Sequence, residues 1–144
     1  MNRDVEITVA GTWDDGSGKE TVTDYRTTGQ YFERNGCRYL LYQEQDAESK
    51  ALTSNTMKLR DNVLELSRKG SIHSRMIFEP GQTHPTDYAT AYGALRLEVC
   101  TQALKCLWTD TEARISITYR LLLAGELLSG NKLVINIRNI SSEG

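Results

Sequence analysis

Four polar side chains are predicted at or near inward-facing strand positions, and they have the clearest capacity for chemistry. Tyr42, Glu44, Arg68 and Tyr88 stand among neighbours that are otherwise leucine, isoleucine, methionine and phenylalanine. A carboxylate and a guanidinium in such positions can form an ion pair that closes one end of a barrel. Alternatively, they orient the polar head of an apolar ligand, because binding pockets combine apolar walls with a few placed polar groups.

The apolar side of this candidate site comes from residues that alternate with polar ones along neighbouring strands. Met76 and Phe78 are the candidate ligand-contacting members. The rest of the predicted wall consists of Met57, Leu59, Leu64, Leu66, Leu95, Leu97, Ile115 and Ile117. A small apolar or anionic amphipathic ligand such as a fatty acid is the simplest fit, with Arg68 as its counter-charge.

The same large side chains predict a second outcome, in which they fill the barrel completely. The protein would then hold no ligand inside and would act through its surface. It would be a non-enzymatic interaction or structural module, with a homodimer as one arrangement. Both alternatives need the same alternation of apolar and polar residues, so the sequence leaves them open.

Other reactive residue types are sparse and poorly spaced for catalysis. The chain has only His73 and His84 as imidazoles and no Gly-x-Ser-x-Gly motif, which disfavours nucleophilic hydrolysis. A zinc site built from His84, Asp87 and a cysteine would lack a recognised ligand spacing. An acid–base pair of Glu44 and Glu79 is disfavoured because the predicted register puts Glu79 outside. We therefore predict no catalytic residue, metal or cofactor.

The length and composition favour one soluble cytosolic domain over residues 1–144. The 17 basic and 19 acidic side chains lack the basic excess expected of a nucleic-acid-binding protein. Arg3, Asp4 and Glu6 stand where a secretory signal would need an apolar core, and no apolar run approaches the ~20 residues that span a bilayer. The three cysteines form no Cys-x-x-Cys motif, which indicates reduced thiols.

The strongest local pattern is a three-stranded meander from Thr56 to Glu79. Asp61-Asn62 suits a two-residue turn with positive φ, and this turn places Leu59 opposite Leu64. The apolar face of the meander then contains Met57, Leu59, Leu64, Leu66, Ile72, Met76 and Phe78. Three strands with one apolar face are not stable alone in water, so other strands must cover this face.

The second turn of the meander has two candidate registers. A two-residue loop would set leucines opposite polar residues, so the three strands would not share one continuous apolar face. A three-residue loop, Arg68–Gly70 with Gly70 in the left-handed region, instead places Leu66 opposite Ile72. We therefore predict the three-residue loop.

The remaining strands are predicted from alternation and turn residues. Val5–Trp13 and Thr21–Arg34 are strands, and Gly29 in the second marks a candidate bulge or bend. Asn35-Gly36 predicts a hairpin that pairs Glu33 with Arg38. The later strands are Arg114–Leu123 and the segment containing Leu133, Ile135 and Ile137, separated by a turn at 125–131.

Three further segments are assigned from their lack or change of period. Residues 45–55 are predicted to be a loop, and Pro80–Pro85 a turn-rich connection. Tyr88, Thr90 and Tyr92 alternate in one phase and Leu95, Leu97 and Val99 in the other. One long strand with a bend at Gly93 explains this change of phase. The tail from Ser141 to Gly144 is predicted to fray.

Together these segments predict an all-β domain of about eight to ten strands, with no amphipathic helix. Glycine-marked bends at Gly29 and Gly93 favour an antiparallel up-and-down barrel closed on itself. A two-sheet sandwich is the alternative.

A series of short motifs runs in a fixed order along nearly the whole chain. The motifs are Arg26-Thr-Thr-Gly29-x-Tyr31, Asn35-Gly36, Tyr39-Leu40-x-Tyr42-x-Glu44, Lys58, Arg68-x-Gly70, Phe78, Tyr88 with Gly93-x-Leu95-x-Leu97, and Ile115-x-Ile117-x-Tyr119. In this order they resemble the YwiB-like family of small bacterial proteins. The resemblance implies a calycin-like, lipocalin-type barrel in a cytosolic protein and carries over no activity. Similar family members present equivalents of Tyr42, Glu44, Arg68 and Tyr88 without an assigned role.

Overall fold

Ten antiparallel strands, each hydrogen-bonded to its neighbours in sequence, close into a barrel in which β1 pairs with β10. The computed structural model describes residues 3–46, 48–90 and 93–138. The strands are β1 (Arg3–Asp14), β2 (Glu20–Arg34), β3 (Cys37–Gln45), β4 (Leu52–Arg60), β5 (Val63–Gly70), β6 (Ile72–Phe78), β7 (Thr83–Thr90), β8 (Gly93–Trp108), β9 (Glu112–Leu123) and β10 (Glu126–Arg138). This order confirms the predicted all-β, up-and-down barrel. Over the described ranges there is no helix that is long and apolar enough to cross a membrane.

Both predicted two-residue hairpin turns are confirmed. Asn35 and Gly36 have φ values of 53° and 78°, and Asp61 and Asn62 have values of 50° and 62°. Positive φ at both central residues gives a backbone twist that matches the twist of the flanking strands. The pairings that follow from these turns are also present, with Glu33 opposite Arg38 and Leu59 opposite Leu64.

The core lies inside the barrel and follows the predicted alternation. The buried apolar side chains come from β1–β6 and β8–β10, and most of the predicted wall is among them. Phe78, Leu64 and Ile117 are fully enclosed. Leu95 is an exception at 50% exposure. It lies only two residues from the start of β8, where the barrel wall ends and gives its side chain no cover.

The predicted register between β5 and β6 is wrong, although the predicted apolar face is right. Leu66 faces Met76, four residues beyond the predicted partner Ile72. A shift by an even number of residues keeps each side chain on the same side of the sheet. The end of β5 pairs only with β4, where Thr53 faces Gly70, and the start of β6 pairs with β7. The connection is therefore a corner rather than a tight hairpin.

Gly70 stands at this corner and has a positive φ of 148°, as predicted. A Cβ atom at this position would lie 2.2 Å from the carbonyl oxygen of Leu52 and 2.7 Å from the Cα atom of Thr53. Two constraints therefore require glycine here. The φ value disfavours any L side chain, and β4 leaves no room for one.

The segment predicted as one bent strand is a hairpin. Thr90 at the end of β7 faces Gly93 at the start of β8, and the two strands run antiparallel from there. Reversal of the chain, not a bend, explains the change of phase at this point. Tyr92 lies outside the described residues, as does the tail Ser141–Gly144. The preceding connection is also shorter than predicted, since β7 begins at Thr83 and includes Pro85.

Two predicted loops are partly strand. β4 begins at Leu52, so residues 52–55 do not belong to the loop predicted over residues 45–55. Their serine, threonine and asparagine content resembles a loop, but Thr53 and Asn55 face the barrel interior and are each 1% exposed. Similarly, β10 begins at Glu126 directly after a tight turn, with a bulge between Leu127 and Ser129.

The predicted bulge at Gly29 is absent, because this glycine serves close packing instead. Gly29 pairs with Val5 on one side and with Tyr42 on the other, with no shift of register in either ladder at this position. A Cβ atom here would lie 2.3 Å from the carbonyl oxygen of Leu41 and 2.7 Å from Cδ1 of Ile7.

Candidate functional site

The barrel interior changes from apolar to polar along β3–β6, and the strand registers show where. One cross-strand row consists of Leu40, Met57, Leu66 and Met76, each directly opposite the next. The next row toward one end of the barrel consists of Tyr42, Asn55, Arg68 and Ser74, paired in the same way. We call this second row the polar layer. The polar layer exists because each of the four neighbouring strands has an apolar residue in the first row and a polar residue in the next.

An ion pair lies against the polar layer. Nε of Arg68 is 3.8 Å from Oε1 of Glu44, and the two side chains are 22% and 24% exposed. Nδ2 of Asn55 donates a hydrogen bond of 3.0 Å to the same Glu44 oxygen. The ion pair expected from the sequence is therefore present, and an asparagine that the sequence did not single out completes it.

The surroundings of Arg68 keep its guanidinium charged. Burial opposes the charge, but Glu44 and then Tyr42, Tyr88 and Tyr119 raise the pKa of Arg68 above its ordinary value. The polar layer thus holds one permanent positive charge that Glu44 matches.

Burial keeps the phenols of Tyr25, Tyr42 and Tyr119 near this ion pair neutral at ordinary pH. Burial and the neighbouring Glu44 carboxylate raise the pKa of Tyr25 to about 12. Burial, with the adjacent Tyr25 phenol, raises the pKa of Tyr42 well above its usual value, and the two phenols share a hydrogen bond. Burial likewise raises the pKa of Tyr119. These side chains therefore offer hydroxyl donors and acceptors rather than charge.

Three buried polar atoms in the polar layer lack a hydrogen-bond partner among the described residues. They are Oδ1 of Asn55, Nε of Arg68 and Oγ of Ser74. Asn55 and Ser74 are only 1% and 4% exposed, and they lie directly on either side of Arg68. An unsatisfied buried polar group costs about 1–3 kcal/mol. Three such groups on adjacent strands therefore form an unusual concentration of unused hydrogen-bonding capacity.

A cleft of about 630 Å³ opens at the same end of the barrel. Glu44 lies both in its lining and in the ion pair. Asp46 and Glu48 also line the cleft, and its described lining contains no lysine or arginine. Backbone hydrogen bonds from Glu48 and Ser49 lower the pKa of Asp46, which stays ionised. The cleft is therefore acidic, although Ile72 adds an apolar surface to its lining.

The predicted site residues occupy four successive rows, counted from this end of the barrel. Glu44 and Arg68 form the ion pair, and Tyr42 belongs to the polar layer. Tyr88 is half-buried and interacts electrostatically with Arg68. Met76 lies one row deeper and floors the polar layer. The sixth residue, Phe78, lies a further row down.

Phe78 belongs to the packed core rather than to the edge of the cleft. It is fully buried, and its ring meets the ring of Tyr119 edge-on at 4.8 Å between centroids. Leu64 faces it directly across the β5–β6 ladder. This level of the barrel is occupied by large apolar side chains, so Phe78 can act on the site only through the residues above it.

Four residues around the ion pair were not identified from the sequence. Tyr119 was placed on an inward face without a role, and Asn55 was assigned to a loop. Tyr25 shares the phase of Gly29 along β2, which would have placed it inside, and Ser74 shares the phase of Met76 along β6. The alternation along each strand therefore indicated that these side chains point inward. It does not indicate which residues of neighbouring strands lie side by side.

The other residues considered for chemistry lie apart from this site. Nε2 of His84 contacts Oε1 of Glu79 at 2.9 Å, and Asp87 pairs with Arg96 at 3.0 Å. His73 is exposed on the outer side of β6. In the ranges 3–46, 48–90 and 93–138, no three histidine, cysteine or acidic side chains are grouped to hold a metal ion.

The fold and this site define a small, closed, ten-stranded antiparallel barrel with a polar layer at one end of an apolar interior. The chain belongs to the DUF1934 family, described as a domain of unknown function, whose profile matches residues 7–135.

Two comparisons with individual proteins agree with this assignment. The chain is 28% identical over 102 residues to the Bacillus subtilis (strain 168) protein described as the uncharacterized beta-barrel protein YwiB, covering 71% of this chain and 70% of that protein. The crystal structure of the ywiB protein from Bacillus subtilis matches with a TM-score of 0.84 at 21% identity, covering 96% of this chain and 92% of that chain. The structural match supports the fold alone.

Proposed function

We propose that the protein binds a small amphipathic ligand at the open end of the barrel and does not catalyse a reaction. The polar group of the ligand contacts the polar layer, and its apolar part lies along the cleft beside Ile72. Pockets of this kind combine apolar walls with a few convergent polar groups.

One observation carries this proposal. Oδ1 of Asn55, Nε of Arg68 and Oγ of Ser74 are buried on three adjacent strands without hydrogen-bond partners among the described residues. Buried polar groups in folded proteins are normally hydrogen-bonded, and exceptions concentrate where a ligand, ion or water completes the network. A bound polar group that pairs with these atoms would recover the cost of leaving them unsatisfied.

The packed core limits how far a ligand can reach. Met76, which is 6% exposed, lies in the row directly beneath the polar layer. Leu64 and Phe78 fill the row beneath Met76. Interiors packed in this way do not admit a chain without large rearrangement. The proposed ligand therefore lies above Met76 and extends outward into the cleft rather than through the barrel.

The test is a titration of the protein with a fluorescent amphiphile, monitored beside light scattering. Ser74→Val fills part of the polar layer and removes a hydroxyl, and we expect it to weaken binding by about tenfold or more. His73→Ala is the matched control, because His73 is the neighbouring residue on the exposed side of β6. Equal binding by both variants, or no binding of lipid-like probes by the native protein, would contradict the proposal.

The runner-up is an interaction or structural module, and the packed core favours it. Side chains such as Phe78, Leu64 and Ile117 already fill the central levels of the barrel. A protein of this kind would act through its outer surface, as a homodimer or with another protein. Light scattering that shows a stable dimer, together with failure of every amphiphile to bind, would favour this alternative.

A further inference from the structure

We infer that the polar layer selects a ligand whose polar group is uncharged and carries both a hydrogen-bond donor and an acceptor, such as a primary amide. This inference rests on the proposed function and specifies the chemical class of the ligand. It differs from the anionic head group expected from the sequence, where Arg68 was assigned the role of counter-charge.

The charge balance of the site disfavours an anion. Glu44 already lies 3.8 Å from Nε of Arg68, so the guanidinium charge is matched within the protein. A second carboxylate would compete with Glu44 and leave one negative charge without a partner in a partly buried site, which is unfavourable. The ligand would also pass Asp46 and Glu48 in the lining of the cleft, and both would repel it.

The hydrogen-bonding capacity of the layer is mixed in a way that excludes simple ions. Nδ2 of Asn55 is engaged by Glu44, so Oδ1 is its remaining group, and an amide oxygen can only accept. Nε of Arg68 can only donate, whereas the hydroxyl of Ser74 can do either. A carboxylate cannot donate to Asn55, and an ammonium group cannot accept from Arg68. An amide can do both.

Arg68 also controls access to these atoms. The unpartnered atoms of Asn55 and Ser74 are shielded from solvent, and both residues flank Arg68 on the neighbouring strands. Arg68 is the long, flexible member of the row, and its side chain is 22% exposed at the cleft end. A shift of its guanidinium toward the cleft would admit the ligand group between Asn55 and Ser74, and Glu44, which lines that cleft, would stay beside the guanidinium while keeping its hydrogen bond to Asn55.

The experiment compares three ligands with the same alkyl chain: a primary amide, a carboxylate and a primary amine. Isothermal titration calorimetry with the native protein near neutral pH is expected to show the amide binding about tenfold more tightly than either ion. Ser74→Ala is expected to weaken amide binding severalfold while preserving the fold. Asn55→Leu should abolish the amide preference, and Ser54→Ala, an exposed neighbour on β4, should leave it unchanged.

Each outcome decides between specific alternatives. Tightest binding of the carboxylate would overturn the uncharged-ligand inference and leave the proposed binding function intact. An unchanged amide preference in a folded Asn55→Leu protein would overturn the role of the amide acceptor, and the Ser74→Ala result stands independently if Asn55→Leu does not fold. Absence of binding by all three ligands would contradict the proposed function itself.

Discussion

Asn55 lies directly opposite Arg68 across the β4–β5 ladder, and its amide donates to the same carboxylate oxygen that faces the guanidinium. This arrangement couples three strands, because Glu44 comes from β3. It also orients Asn55, since the hydrogen bond to Glu44 leaves Oδ1 pointing elsewhere in the buried layer. The ion pair and the unsatisfied atoms are therefore parts of one network.

Glu44 and Arg68 are expected to be energetically coupled. Their partial burial places them between an exposed pair, worth about 0–1 kcal/mol, and a buried pair, whose disruption costs about 3–5 kcal/mol. A double-mutant cycle of Glu44→Gln and Arg68→Met, measured by urea unfolding, should give a coupling of about 1 kcal/mol or more. The exposed pair Asp87 and Arg96 is the control and should give less. A cycle without coupling would refute the network.

Gly70 is expected to be much less tolerant of substitution than Gly36, although both have positive φ. A Cβ atom at Gly36 meets nothing within 4 Å, so Gly36→Ala should cost only the backbone strain, about 1 kcal/mol. Gly70→Ala adds a clash with the backbone of β4 and should cost about 2–5 kcal/mol in total. Urea unfolding of the two variants measures this difference, and equal losses would show that the corner relaxes freely.

The stability of the protein is expected to fall in alkaline solution between pH 10 and pH 12. The pKa of Tyr25 rises from 10.0 to about 12 in the folded protein. A phenol with a raised pKa stabilises the fold fully below the unfolded value, and this contribution is lost as the pH rises through the folded value. Tyr25→Phe should therefore show a shallower decline in unfolding free energy over this range. Parallel declines for the native protein and the Tyr25→Phe variant would show that Tyr25 does not cause the loss of stability.

Arg38 is expected to contribute to the stability of the protein at the opposite end of the barrel. Its Nη1 atom donates to the Tyr31 hydroxyl at 2.8 Å and lies 3.2 Å from Glu33, and its guanidinium carbon lies 4.0 Å from the ring centre of Trp108. Arg38→Ala should cost about 1–3 kcal/mol in unfolding free energy, because it removes a charged hydrogen bond and a cation–π contact.

Arg38→Lys separates the contribution of the positive charge from the contribution of the planar guanidinium group at that end of the barrel. Lysine keeps the charge but lacks the planar group that stacks on the indole, so it should recover only part of the loss. Arg96→Ala is the control at an exposed site and should change stability by less than about 0.5 kcal/mol. An Arg38→Ala protein as stable as this control would show that the contacts at this end contribute nothing.

The side of the sheet on which the alternating apolar residues lie could be predicted from the sequence alone. Leu64, Leu66, Met76 and Phe78 face inward as expected, because side chains alternate strictly along a strand. The hairpin turns at Asn35-Gly36 and Asp61-Asn62 were equally predictable, since few residue pairs adopt positive φ at both positions. These are local properties, and the chain needs no distant contact to express them.

The level at which inward residues meet could be predicted only where a two-residue turn fixes the register. A shift of four residues between β5 and β6 leaves every side chain on its predicted face, so the apolar pattern cannot distinguish the two registers. The same limit applies to Thr90 and Gly93, where a bend and a hairpin both account for the change of phase.

Glu44 and Arg68 could be paired from the sequence because they are opposite charges near inward positions. Asn55 follows from the same turn that sets Leu59 opposite Leu64, since this register also sets Asn55 opposite Arg68, but residues 52–55 were assigned to a loop. Ser74 could not be added, because its place beside Arg68 depends on the β5–β6 register, which packing within the closed barrel decides. Alternation along each strand thus determined which side chains point inward. Where no two-residue turn fixes the register, as between β5 and β6, the closed barrel decided which of them share a level, because that level is set by packing across the whole interior.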